Sequence, residues 1–121
     1  MSEVQSYRDL KVWLKGIEIV KDVYKLCEKL PQQEQFGLKS QMQRAAVSIP
    51  CNIAEGYGRN SSKNYAQFLR TSRGSLYELE TLLIITKELG LIEEEEYKSL
   101  AESMTKEAKM MNAFIKAIST N

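Results

Sequence analysis

The chain has 121 residues, of which 43% are hydrophobic and 27% charged, a length and balance that suit one domain with its own core. Its formal net charge is +1, from 17 basic and 16 acidic residues, so the chain as a whole does not attract polyanions, and a nucleic-acid role needs local clustering. It has no histidine and two widely separated cysteines, Cys27 and Cys51, which argues against a metal-ligand set, a His-dependent triad or a Glu-x-x-His bundle site.

Taken in chain order, residues 1–8 are polar and read as a loosely ordered start to a single domain over 1–121. They lack the apolar core of a signal peptide, and no stretch approaches the ~20 apolar residues of a membrane span. A cytoplasmic protein with two free thiols is the expectation. Asp9 suits an N-cap for a first helix running to about Leu30, which Pro31 stops because the residue before proline avoids helical geometry. Pro31 to Phe36 form a polar connection. A second helix spans about Gly37 to Tyr57 with Pro50 in its middle, where proline removes a backbone hydrogen bond and clashes with the preceding turn, at a cost of ~3 kcal/mol. A kink is predicted there, and Gly56 and Gly58 loosen the helix end. Ser61 or Ser62 caps a third helix to about Leu89, and Gly90-Leu91 reads as a left-handed C-cap. Glu93 to Glu96 put negative charge on the first turn of a fourth helix that reaches about Ile118. No segment reads as a strand.

Tyr65, Leu69, Ser72, Leu76, Leu79, Leu83 and Thr86 recur at alternating intervals of four and three, the seam of a left-handed bundle. Tyr97, Leu100, Met104, Ala108, Met111, Ile115 and Ile118 repeat it. The predicted fold is all-α: an antiparallel up-down-up-down four-helix bundle, kinked in helix 2 at Pro50. Its predicted core holds Trp13, Ile17, Val20, Tyr24, Met42, Ile49, Ile53, Leu69, Leu76, Leu79, Leu83, Leu100, Met104, Met111 and Ile115. The first helix carries two apolar clusters that together cover roughly two-thirds of its circumference, wider than one core usually needs. Trp13, Ile17, Val20 and Tyr24 are assigned to the core. Val12, Ile19, Val23, Leu26 and Leu30 are assigned to a neighbouring copy, with Tyr77, Ile84 and Ile85 of helix 3 as the surface they meet in a head-to-tail contact. The alternative is a wide face packed between two helices of the same bundle.

The densest pattern is the run Arg44 to Arg59. Arg44, Ser48, Asn52, Glu55 and Arg59 share one helical face. Ser48, Asn52 and Glu55 form a polar stripe at the proline. Ser48 or Asn52 can satisfy backbone groups freed near Pro50, the reading preferred over a stripe that holds an anion or a partner's backbone. Glu55 and Arg59 stand in the favourable i, i+4 ion-pair order. Arg70 and Arg73 share a face of helix 3, and Arg44, Arg59 and Lys63 come near them at the turn. Such a set suits phosphate contact and base stacking. The alternative is a solvated or intersubunit charge network with Glu55, Glu78 and Glu80 as counterions. No residue is assigned a catalytic role, and no cofactor or metal is expected.

Arg44 to Pro50 and Asn52 to Arg59 resemble the hallmark run of the four helix bundle protein family, also called the 23S rRNA intervening-sequence proteins, with Cys51 where that family's serine is expected. Tyr7-Arg8-Asp9-Leu10-Lys11-Val12-Trp13 is similar to its opening signature, and Phe68-Leu69-Arg70 and Gly74 to Thr81 extend the likeness over roughly residues 7–92. The resemblance implies a homopentameric ring with no assigned enzymatic activity. It also implies an association with ribosomal RNA intervening sequences and, in similar proteins, with retroelement reverse transcriptases. The expectation is a non-catalytic homo-oligomeric adaptor or assembly protein that does not enter membranes. The alternative is a nucleic-acid-binding protein acting through the arginine set, whose modest charge a ring would multiply.

Overall fold

A cap closes the first turn described. In the computed structural model, which describes residues 5–119, the Ser6 hydroxyl accepts from the Arg8 N–H at 3.0 Å and the Asp9 carboxylate accepts from the Gln5 and Ser6 N–H groups at 3.0 and 3.2 Å. This capping box closes a 3-10 turn over Tyr7–Asp9. Residues 6–8 are therefore held rather than loose, and Asp9 serves this turn instead of capping the long helix. The expectation of a loose start also covers residues 1–4, which lie outside the described residues.

Helix α1 spans Lys11–Cys27, α2 Leu38–Tyr57, α3 Ser62–Glu88 and α4 Glu94–Ser119. Among the described residues there is no strand, and the chain is an all-α four-helix bundle. Helix α1 stops before Leu30 because the N–H groups of Lys29 and Leu30 turn to the carbonyls of Leu26 and Cys27, at 3.1 Å each, ahead of Pro31. Ser61 caps α3 by accepting from the Asn64 N–H at 3.1 Å. At the far end Gly90 takes φ 74°, and the Leu91 N–H donates to the Thr86 carbonyl at 3.1 Å, the bond that closes a Schellman motif. The Glu96 carboxylate folds back to accept from the Glu93 N–H at 2.9 Å. That bond and the Lys29 ammonium hold Glu96 below the usual carboxylate range, with Lys29 the larger cause.

Each helix packs on its neighbour in sequence, and α1 also packs on α4, while α1 and α3 lie diagonally, with no close approach of their backbones. Met42, Ile49, Ile53, Leu69, Leu76, Leu79, Leu83, Leu100, Met104, Met111 and Ile115 are buried in one cluster, as the periodicity predicts. The polar members of the α3 seam are satisfied there: the Ser72 hydroxyl donates to the Ile49 carbonyl at 2.8 Å and the Thr86 hydroxyl to the Leu82 carbonyl at 2.7 Å.

Helix α1 faces the opposite way to the expectation. Val12, Ile19, Val23, Leu26 and Leu30 are buried inside the protomer, so they belong to its core and cannot be the face offered to another copy. Tyr24 is exposed, Trp13 and Val20 sit half-buried at the core's edge, and Ile17 is half-buried. The cause is Gly16, which lies on the buried face. A Cβ built there would stand 3.4 Å from Pro50 of α2 and 3.4 Å from the Glu107 carboxyl of α4. The helices close on a residue that an apolar count scores as a gap.

Candidate functional site

Where α1 begins, α2 turns into α3 and α4 ends, aromatic rings run through the bundle. Trp13, Tyr7, Tyr57, Tyr65 and Phe114 meet edge to face in that order, with centroids 5.4, 6.4, 6.2 and 5.6 Å apart. Such pairs add about 0.5–1.5 kcal/mol each beyond their buried area. Gly56 makes the approach possible. A Cβ there would lie 2.8 Å from the Phe68 Cβ and 3.3 Å from the Tyr65 carbonyl, so this glycine seats α3 against α2 rather than loosening the helix end. The Tyr65 hydroxyl is buried without a partner, and burial, with Tyr57 second, pushes its pKa up to about 12.

The polar stripe turns inward on itself. The Asn52 amide donates to the carbonyl and the hydroxyl of Ser48, both at 2.8 Å, and the Ser75 hydroxyl of α3 donates to the Ser48 hydroxyl at 2.9 Å. These bonds tie α2 to α3 beside Pro50. The carbonyl that a proline at 50 deprives of its intrahelical donor is that of Ala46, which neither side chain takes.

The basic residues do not form one patch. Arg59 pairs with Glu55 at 3.4 Å and lies 4.5 Å over the Phe68 ring, on the flank of α3 that faces α2. Lys63 and Arg70 share a groove of about 240 Å³ on the opposite flank, where α3 meets the Ile118 end of α4. Arg73 continues that flank and donates to the Asn112 side chain at 2.9 Å. Arg59 lies just past the end of α2 at Tyr57, and Arg44 lies thirteen residues before that end, about 20 Å at 1.5 Å per residue. Of the expected counterions, only Glu55 pairs with an arginine among the described residues. Glu78 is exposed, and burial raises the pKa of half-buried Glu80.

Two apolar surfaces remain open. Tyr7, Trp13, Ile17, Val20, Val47, Pro50, Cys51 and Ala54 line a groove of about 310 Å³ between α1 and α2, and Leu14 and Tyr24 are exposed on α1 beside it. On α3, Tyr77, Ile84 and Ile85 are exposed, as the off-seam assignment predicts, and Leu89 extends them. Because α1 and α3 are diagonal, these surfaces lie on different sides of the bundle. Cys51 is exposed and Cys27 is buried, and burial pushes the Cys27 thiol up to about 11 against the opposing pull of Lys39. Among the described residues no group of acidic and cysteine side chains can hold a metal ion, and no helix is long and apolar enough to cross a membrane.

Glu107 carries no signal in the sequence beyond its place one residue before Ala108 of the α4 seam. It is fully buried with both carboxyl oxygens unpartnered, as is the Ser103 hydroxyl one turn earlier. Burial pushes its pKa up to about 8, with Lys15 acting to lower it and Glu18 to raise it.

The model of a family described as 23S rRNA-intervening sequence protein matches residues 8–113. The crystal structure of a protein of unknown function from the S23 ribosomal protein family of Bacteroides thetaiotaomicron superposes with a TM-score of 0.81 at 25% identity, covering 87% of this chain and 98% of that one. No curated protein matches the chain.

Proposed function

The chain belongs to the 23S rRNA-intervening sequence protein family, and from that premise we propose that it is a non-catalytic assembly protein that docks copies of itself head to tail. The carrying observation is the pair of exposed apolar surfaces, the α1–α2 groove and the Tyr77–Ile84–Ile85 side of α3. Set on different sides of the bundle, they suit a heterologous contact that closes into a ring rather than a two-fold pair. The short α2–α3 and α3–α4 connections support an antiparallel up-down-up-down order, with α2 bent at Pro50. The family resemblance implies five copies in a ring. In this reading Trp13, Leu14, Ile17, Val20 and Tyr24 take the role first given to the residues now in the core. Light scattering at micromolar concentration tests it: the wild type should run as an oligomer, and Ile17→Glu, which puts an unpaired charge into every interface, should run as a folded monomer. A monomeric wild type overturns the reading.

A second reading has support in the Lys63–Arg70 groove and in the rRNA association of the family's name. In it, nucleic acid lies along the α3–α4 flank past Arg73, and Arg59 and Arg44 contribute only through neighbouring copies. A structured RNA should then bind with an affinity that falls steeply as salt rises and that Lys63→Ala with Arg70→Ala abolishes. No binding at physiological salt discards it.

A further inference from the structure

Among the described residues, Glu107 is the least accommodated charged side chain. Its carboxyl is fully buried and neither oxygen has a hydrogen-bond partner. It stands at the point where three helices meet: the position of a Gly16 Cβ on α1 would be 3.4 Å from its Oε2 and 3.4 Å from Cβ and Cδ of Pro50 on α2. A glycine and a proline ring are the neighbours that leave a carboxyl room without offering it a donor. The charged groups that act on it, Lys15 and Glu18, are both on α1. Lys15 is held by Glu18 at 3.3 Å, so its ammonium is engaged elsewhere. Helix α2 brings Pro50 against the same Gly16 position, and neither α2 nor α3 brings a charge to bear on the carboxyl. An ionised carboxylate in such a site loses its hydration and gains nothing in return, so the proton stays on.

Pro50 faces two ways. Its ring abuts Gly16 and also lines the outer α1–α2 groove with Trp13 and Ile17. A change in the spacing of α1 and α2 at Gly16 must therefore reach the groove. We propose that Glu107 is a proton-operated latch: while its carboxyl is neutral, α1, α2 and α4 close at the Gly16–Pro50 contact, and when it ionises that contact opens and the outer groove changes shape. The sign follows from the raised affinity of the folded chain for the proton. The contribution of Glu107 to folding is fully present below the ordinary carboxylate range, and it is lost as pH rises through that range and past about 8. As the regulator of the docking face, the latch rests on the head-to-tail reading. As a property of the bundle, it does not.

Urea unfolding of the wild-type protein from pH 5 to 9 tests the latch directly. The folding constant should fall up to about tenfold per pH unit across the middle of this range, and Glu107→Gln should remove that dependence. A flat wild-type profile, or an equal slope in Glu107→Gln, overturns it. If Glu107→Gln does not fold, the side-chain carboxyl carbon resonance of Glu107 in the wild type decides: a midpoint well above the ordinary carboxylate range supports the latch, and one within it overturns it. Trp13 is the only tryptophan and lines the groove, so its emission reports the coupling. In a Cys51→Ser background, which removes the thiol from the groove, the emission should shift with the midpoint of Glu107 and stay constant when Glu107→Gln is added. Constant emission with a titrating Glu107 overturns the groove coupling alone. A monomeric mass for the wild type defeats the docking reading alone and leaves the latch standing.

Discussion

Gly56→Ala and Gly74→Ala are the same chemical change in two helices, and the structure gives them opposite signs. Each replaces glycine within a helix, which by propensity alone gains up to about 1 kcal/mol. At Gly74, exposed within α3, a new Cβ meets nothing within 4 Å, so Gly74→Ala should stabilise by about 0.5–1 kcal/mol. At Gly56 the new Cβ arrives 2.8 Å from the Phe68 Cβ, 3.0 Å from the Tyr65 ring and 3.3 Å from the Tyr65 carbonyl. None of these is the free end of a flexible side chain, so α2 and α3 must separate. Overpacking of this kind costs about 1–3 kcal/mol, and it also disturbs the Arg59–Phe68 stack and the Tyr57–Tyr65 contact. Set against the propensity gain, the net loss is about 1 kcal/mol, and the two variants should differ by about 2 kcal/mol. Urea denaturation followed by circular dichroism at 222 nm measures this at constant m-value. A Gly56→Ala protein as stable as the wild type would show that the helices do not approach so closely and would remove the reason given for this glycine.

Leu79→Ala, at a fully buried seam position, should cost about 2–5 kcal/mol in the same assay. Val23→Glu places an unpaired charge at a fully buried position of the protomer, so it should abolish cooperative unfolding and near-native helicity, not merely dissociate an assembly; a helical monomer would restore the outward assignment of that face. An aromatic disulfide reagent should label exposed Cys51 rapidly in the native protein and reach buried Cys27 only on unfolding, as peptide mapping of the labelled thiols would show.

The helices were legible because their signals are local. Ser61, Gly90 and the Glu93–Glu96 run mark ends by cap chemistry, and the α3 and α4 seams mark faces by repetition, so boundaries and phases there agree with the structure. In α1 both failed for the same reason. The helix starts at Lys11, five residues after the Ser6 capping box that closes the preceding turn, and its seam runs through Gly16. Periodicity assigns faces by where apolar side chains lie, and it cannot register a position whose contribution is to have no side chain. With Gly16 scored as neutral, apolar spacing leaves two arcs on α1 and does not decide which of them faces the core.

The surface groups were less legible, because proximity across helices depends on which flank of α3 each residue takes. Arg59 and Lys63 are neighbours in sequence, yet they stand on opposite flanks of α3, one stacked on Phe68 facing α2 and the other beside Arg70 facing α4. Shared charge therefore did not predict a shared site. Glu107 had no signal because a lone acid beside a seam usually faces water. Its burial follows from positions on two other helices, Gly16 of α1 and Pro50 of α2, which no pattern within α4 encodes. The proline that dominates the sequence and the carboxyl that the sequence conceals meet at one contact. A deprotonated Glu107 and a closed Gly16–Pro50 contact make opposing demands on the same space, so the stability of this bundle and the shape of its outer groove must vary together with pH.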